Sequence, residues 1–297
     1  MSESAPRPGS PTRWRALLLA LAAFLAPVVP SDACTIFLLT DGQQALFCNN
    51  EDWENKPICL WFVPARQQSR ISQKRYGCAF VGFGSRWGQG GMNTEGLAYD
   101  WVAGYQVAWR RAPEMKSVSG NPAERMLEQC ATVEEAIAFF QTHWEPSFSY
   151  ARILIADRTG ASVVIGAADG RLDVQRSTAS RGCGFGGAIL DTALAHDPSP
   201  QLANAAAILD TTRQSGRYAT RYSNIFDLKT GTIFVSTDRL HFARLDLAAE
   251  LERGRHSYDL RTLAKPIELR SDAPEPARAS TAASTLNLSP ASNKQSS

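Results

Sequence analysis

The chain has 297 residues, 44% of them hydrophobic, enough for a packed core in one large or two small domains, so disorder throughout is excluded. Its 31 Lys and Arg against 29 Asp and Glu leave a formal charge of +2, mixed along the chain without basic runs interleaved with aromatics. That balance argues against nucleic acid and anionic lipid as partners.

The first 33 residues differ in character from the rest. Arg7, Arg13 and Arg15 form a basic start, Ala16 to Val29 an apolar run, and Ser31-Asp32-Ala33 a small-residue cleavage site, which together read as a secretory signal peptide over 1–33. A membrane anchor is the competing reading, but the run is broken by Pro27 and is shorter than the roughly 20 residues that span a bilayer. Cleavage between Ala33 and Cys34 gives an exported protein, periplasmic or extracellular, that keeps no stable membrane span and begins at Cys34. Lipidation of Cys34 is a second competing reading, opposed by the charge of Asp32 and by Ser31 where an aliphatic residue is wanted.

The mature part opens with CTIFLLT, Cys34 to Thr40, then an Asp41-Gly42 turn, then a return strand from Ala45 to Asn50, which predicts a β-hairpin. Further strands are expected at Leu60 to Pro64, Cys78 to Phe83, Leu97 to Trp101, Ala151 to Asp157, Ser162 to Ala167 and Leu172 to Gln175, the last three as a meander. Asn121-Pro122 and the Thr132-x-x-Glu135 capping box open two helices, and a third covers Gln201 to Gln214. Arg221 to Leu228 and Thr232 to Thr237 form a last hairpin, and the Ser-, Ala- and Pro-rich stretch 271–297 reads as a disordered tail behind a domain at 34–270. The order predicts an α+β fold, helices packed on antiparallel sheets.

Beyond Cys34 the cysteines are Cys48, Cys59, Cys78, Cys130 and Cys183, some of which can pair in an exported protein. They show no CxxC or zinc spacing, and His143, His196, His241 and His256 are scattered, so neither a metal nor another cofactor is expected.

A cysteine at a new N-terminus carries its own base. Its α-amine, with a reference pKa of about 7.7 to 8.0, can take the proton of a thiol near 8.5, so nucleophile and base come from one residue. The hairpin's second strand ends in Asn49-Asn50-Glu51-Asp52-Trp53, opposite the start of the first. Asp52 there is placed to orient the amine, and Asn50 to hold backbone or substrate; Asn and Asp after a strand are also ordinary turn residues.

Four segments then carry a family resemblance: Cys34-Thr35, the NNEDW stretch Asn49 to Trp53, GGMNTEGLAYD from Gly90 to Asp100, and TRYSNIFDLKTGTIFV from Thr220 to Val235. In order and spacing they resemble the choloylglycine hydrolase and penicillin acylase family of N-terminal nucleophile hydrolases. The resemblance implies a four-layer αββα sandwich and hydrolysis of a linear, non-peptide carbon-nitrogen amide bond of a small N-acyl amide. It makes Cys34 the nucleophile and Asp52 the partner of its amine, with Asn49, Asn50, Asn93, Asp100 and Trp101 as supporting or substrate-side residues. Trp53, Trp61, Trp87, Tyr99 and Trp101 are candidates either for an acyl pocket or for the core.

Two departures qualify the resemblance. Asn49 stands where many relatives have arginine, and RGCGFGG, Arg181 to Gly187, lacks the asparagine relatives use in the oxyanion hole, so this segment is either a flexible loop or a set of backbone donors. Two other readings stay open: an inactive periplasmic or lipid-anchored binding protein on the same fold, and a thiol redox protein with Cys48 as partner of Cys34. Oligomeric state and the acyl group are not legible.

Overall fold

Strand β1 (Thr35–Thr40) and strand β2 (Ala45–Asp52) pair from Thr35 opposite Asn50 to Thr40 opposite Ala45. Asp41 closes the hairpin, its Oδ1 accepting from the amides of Gln43 at 2.8 Å and Gln44 at 2.7 Å while Gly42 takes φ +82°. These positions come from a computed structural model that describes residues 34–269 apart from 68, 70–73, 85, 185 and 186. The expected signal peptide and the expected tail lie outside the described residues.

Around the hairpin a seven-stranded sheet runs in the order β10-β1-β2-β11-β12-β13-β15, adding β10 (Arg181–Gly184), β11 (Thr220–Asp227), β12 (Thr232–Ser236), β13 (His241–Asp246) and β15 (Ile267–Glu268). An eight-stranded sheet takes β14 (His256–Asp259), then β3 (Ile58–Val63), β4 (Cys78–Phe83), β5 (Trp87–Asn93), β6 (Ala98–Ala103), β7 (Ala151–Ala156), β8 (Ser162–Ala168) and β9 (Arg171–Ser177). The pairings within both are antiparallel.

Strand alternation sorts the side chains into layers. Ile36, Leu38 and Phe47 meet Phe62, Val81 and Leu154 between the sheets. Phe37, Leu39 and Cys48, on the opposite face, pack under α3 (Gly187–His196) and α4 (Leu202–Thr211). The outer face of the second sheet, with Trp61, Phe80, Tyr99 and Ile153, receives α1 (Pro122–Gln129) and α2 (Val133–Thr142). The result is the helix-sheet-sheet-helix sandwich the resemblance implied.

Caps fix the helix starts as expected. Asn121 Oδ1 accepts from the Ala123 amide at 3.0 Å, and Thr132 Oγ1 from the Glu135 amide at 3.2 Å. Glu135 returns its carboxylate to the amide of Ala131, one residue before the cap, at 2.6 Å.

Several readings need correction. Arg181–Gly184 is no flexible loop: it is an edge strand laddered to β1. The glycine-rich Trp87–Asn93 is a full strand, and the chain continues past β12 through β13, α5 (Leu247–Glu252), β14 and β15. No helix among the described residues is long and apolar enough to cross a membrane.

Candidate active site

Cys34 immediately precedes β1, on the side of the strand that carries Ile36 and Leu38, and is 8% exposed. Its Sγ lies 3.5 Å from the Asp52 backbone nitrogen, which donates to it, and 3.9 Å from the Asp52 carbonyl oxygen. On the other flank Gly184 takes φ +112°, and a Cβ there would collide with the Cys34 carbonyl oxygen. The cysteine is therefore clamped between two strands.

Carboxyl groups surround the thiol. Burial pushes it well above the ordinary thiol range, and the charges of Glu51, Asp52 and Asp100 push in the same direction, against the Asp52 N–H. Asp52 is 1% exposed and held by two donors, Thr220 Oγ1 at 2.5 Å from Oδ1 and Gln214 Nε2 at 2.6 Å from Oδ2. Burial still raises it to about 7, opposed by those hydrogen bonds and by Arg213. Glu51 is driven up by burial first and by Asp100 second, and Asn49 Nδ2, 3.4 Å from its Oε2, opposes the shift. Burial lifts Asp100 to about 8, against the hydrogen bond its Oδ1 accepts from the Trp101 amide at 2.7 Å.

The residues singled out from sequence divide by location. Cys34, Asp52 and Trp101 line one cavity of about 820 Å³, together with Glu51, Trp53, Phe83, Trp87 and Tyr150. Asn49 and Asp100 are buried, Asn49 against Glu51 and Asp100 within charge reach of Glu51 and the thiol. Asn50 instead serves the scaffold: its Nδ2 donates to Leu209 O at 2.8 Å and Thr212 Oγ1 at 3.1 Å, its Oδ1 accepts from Ser223 at 2.6 Å, and it ties β2 to the end of α4. Asn93 likewise donates to Leu127 O and Cys130 O and accepts from the amides of Glu95 and Leu97, pinning the β5–β6 turn to the end of α1.

The aromatic expectation divides as well. Trp53, Trp87 and Trp101 border the cavity, whereas Trp61 and Tyr99 are core residues under α1 and α2. Among the described residues, Trp53, Trp87 and Tyr150 are three of the four large hydrophobics left exposed, and all three line this cavity. Such a concentration of apolar surface in one concavity marks a binding surface rather than chance exposure.

Cys48 packs with Phe37 and Leu190 on the helix-covered face, opposite to the face that carries Cys34, which counts against the competing redox reading. Glu51 and the Thr220 and Gln214 that hold Asp52 are site residues that sequence reading missed. A charged residue at an inward position of a buried strand was the available signal for Glu51, but inwardness required the register.

Residues 39–184 match the family model described as acyl-coenzyme A:6-aminopenicillanic acid acyl-transferase. Among solved structures, penicillin V acylase from Agrobacterium tumefaciens superposes with a TM-score of 0.59 at 15% identity, covering 76% of this chain and 91% of that one. Two variants of conjugated bile acid hydrolase from Clostridium perfringens give TM-scores of 0.57 and 0.59 at 17% and 16% identity, covering 76% and 81% of this chain and 96% and 100% of theirs. No curated protein sequence matches the chain. The family match covers just under half of the chain, and the solved structures show that the chain shares the fold of these acylases and hydrolases, two antiparallel sheets between layers of helices.

Proposed function

We propose that the protein is an exported hydrolase of linear, non-peptide carbon-nitrogen amide bonds, active once cleavage before Cys34 frees its α-amine. The observation that carries this reading is the thiol itself, which lies in an apolar-walled cavity among buried carboxyls. Those carboxyls disfavour a thiolate in the uncleaved chain. A new α-ammonium at Cys34 supplies the missing positive charge, and as free amine it supplies the base.

The amine takes the thiol proton as sulfur adds to the amide carbonyl, giving a tetrahedral oxyanion. That proton then passes to the departing nitrogen as the C–N bond breaks, leaving a thioester that water hydrolyses. Asp52, fixed by Thr220 and Gln214, orients the amine. The aromatic walls take an apolar acyl group, in keeping with relatives named as an acylase, a bile acid hydrolase and an acyl-transferase.

Processed protein and its Cys34→Ala variant, offered a panel of N-acyl amides with and without a second amine as acceptor, test the reading. Release of amine by the first and not the second is expected, and the acceptor separates hydrolysis from transfer. Binding of the panel without release by either would support instead the inactive binding protein on the same fold.

A further inference from the structure

Glu51 is a buried cavity residue that this mechanism leaves without a task. It lies opposite Tyr222 in the β2–β11 register and one step beyond the Thr35–Asn50 pair, which sets its carboxyl beside the Cys34 thiol. Asp100 stands behind it, fully buried, with Oδ2 lacking any hydrogen-bond partner. Gly90 makes room for that oxygen, since a Cβ there would run into it. The Tyr222 hydroxyl and Asn49 Oδ1 are also buried and unpartnered, and charge on Glu51, Asp100 or Cys34 reaches the tyrosine. Buried polar atoms left unmet beside a reactive group ask for a ligand or water between them.

Burial pushes both carboxyls toward their protonated forms, and the neighbouring charge of Asp100 pushes Glu51 further in the same direction. A protonated carboxyl donates a hydrogen bond, which a carboxylate cannot, and an apolar site is where such a donor survives. The vacancy it can fill is chemical: the Arg181–Gly184 strand brings no asparagine to the thiol.

We propose that Glu51 is a catalytic residue of the amide hydrolysis above, its carboxylic acid donating a hydrogen bond to the oxyanion that forms as Cys34 adds to the substrate carbonyl, with Asp100 as the positioning residue behind it. The inference rests on that hydrolase reading. The sulfur-carbon bond forms as the carbonyl π pair moves to oxygen, and the thiol proton travels through the Cys34 amine to the leaving nitrogen. The Glu51 proton stays on Glu51 throughout.

The test uses the processed chain, its Glu51→Gln and Glu51→Leu variants, and an N-acyl amide that the unsubstituted protein turns over, with rapid-quench mass analysis of Cys34. Glu51→Leu, which has no donor, should lower kcat by about a hundredfold to a thousandfold with KM little changed. Glu51→Gln, which keeps an N–H donor, should recover to within about tenfold of the unsubstituted rate. The unsubstituted kcat should also fall on the alkaline side as the pair ionises, and Glu51→Gln should abolish that fall. Cys34, its amine, Asp52, Asp100 and Tyr222 all face the same space, so it is the loss of the limb in Glu51→Gln that assigns it.

Equal slowing by both variants, an unimpaired Glu51→Leu, or an alkaline limb unchanged in Glu51→Gln would overturn the proposal. Melting curves accompany the kinetics, and if Glu51→Leu does not fold, the Glu51→Gln pH profile decides. If no panel member acylates Cys34 in the unsubstituted protein, it is the hydrolase reading that falls.

Discussion

Asp52 meets the Cys34 thiol through its backbone, the amide nitrogen 3.5 Å from Sγ, while both of its carboxylate oxygens are engaged by Thr220 and Gln214. One residue thus fixes the thiol with its main chain and holds a carboxyl beside it with its side chain. Because β2 also pairs with β11, which supplies Thr220, the carboxylate and the thiol are referenced to the same sheet.

Processing should control both activity and pH tolerance. A residue retained in front of Cys34 turns its amine into an amide, and the loss of a general base is worth about a hundredfold to ten-thousandfold in rate. The retained form should also melt lower than the processed form at pH 7 to 8, where the surrounding carboxyls begin to ionise without a countercharge. Paired kinetics and calorimetry of the two forms check this; equal activity would contradict it.

Asp52→Asn should separate catalysis from stability. The folded-state value of about 7 lies above the unfolded carboxylate range, so the folded chain binds more protons and its stability falls as pH rises from about 4 to 7. Removing the ionisable group should flatten that part of the fall while lowering kcat by about a hundredfold through loss of amine orientation. Melting temperature against pH, measured beside kcat, reads both effects.

Asn93→Ala should damage the fold rather than the chemistry. It strips partners from the carbonyls of Leu127 and Cys130 and the amides of Glu95 and Leu97, and a loss of about 2 to 4 kcal/mol is expected from buried groups left unpaired. Denaturant unfolding measures it, and the KM of whatever folded protein remains should be near normal.

Gly184→Ala should do the opposite of a surface change despite removing nothing. At φ +112° a side chain is strained, and its Cβ would press on the Cys34 carbonyl. The expected result is a loss of turnover larger than the loss of stability, read from kcat and a melting curve.

Trp87→Ala tests the cavity wall. The indole is 50% exposed, so its removal should change stability by less than about 1 kcal/mol. A cavity that binds an apolar acyl group through this wall should show KM raised by roughly tenfold for long or aromatic acyl amides and less for acetyl amides.

Much of this was legible in the sequence where local chemistry agrees with the fold. Asp41-Gly42 announces its hairpin, Cys78 to Phe83 reads as the strand it is, and Asn121 and Thr132 cap the helices they were expected to cap. Trp87–Asn93 escaped notice because a glycine-rich stretch has no alternation of its own; β4 and β6 supply its order. Gly187–His196 likewise offers no N-cap signal.

At the site, the approach of Asp52 to Cys34 was readable from the place of the Asn49 to Trp53 stretch opposite the start of β1. Glu51 was not, because its neighbour Asp100 lies on the other sheet, and of the two tasks open to Asn50, backbone or substrate, it is the backbone at the end of α4 that it holds. The competing Cys34–Cys48 reading has the same origin, since residues of paired strands that face opposite sides of a sheet look like neighbours in a linear sequence.

The most direct test of the central claim is to quench the exported protein during turnover of an N-acyl amide, digest it, and locate the acyl mass. The account predicts a thioester on a peptide whose first residue is Cys34 with a free amine. An acyl group on any other residue, or a peptide in which Cys34 is preceded by another residue or blocked, would contradict it.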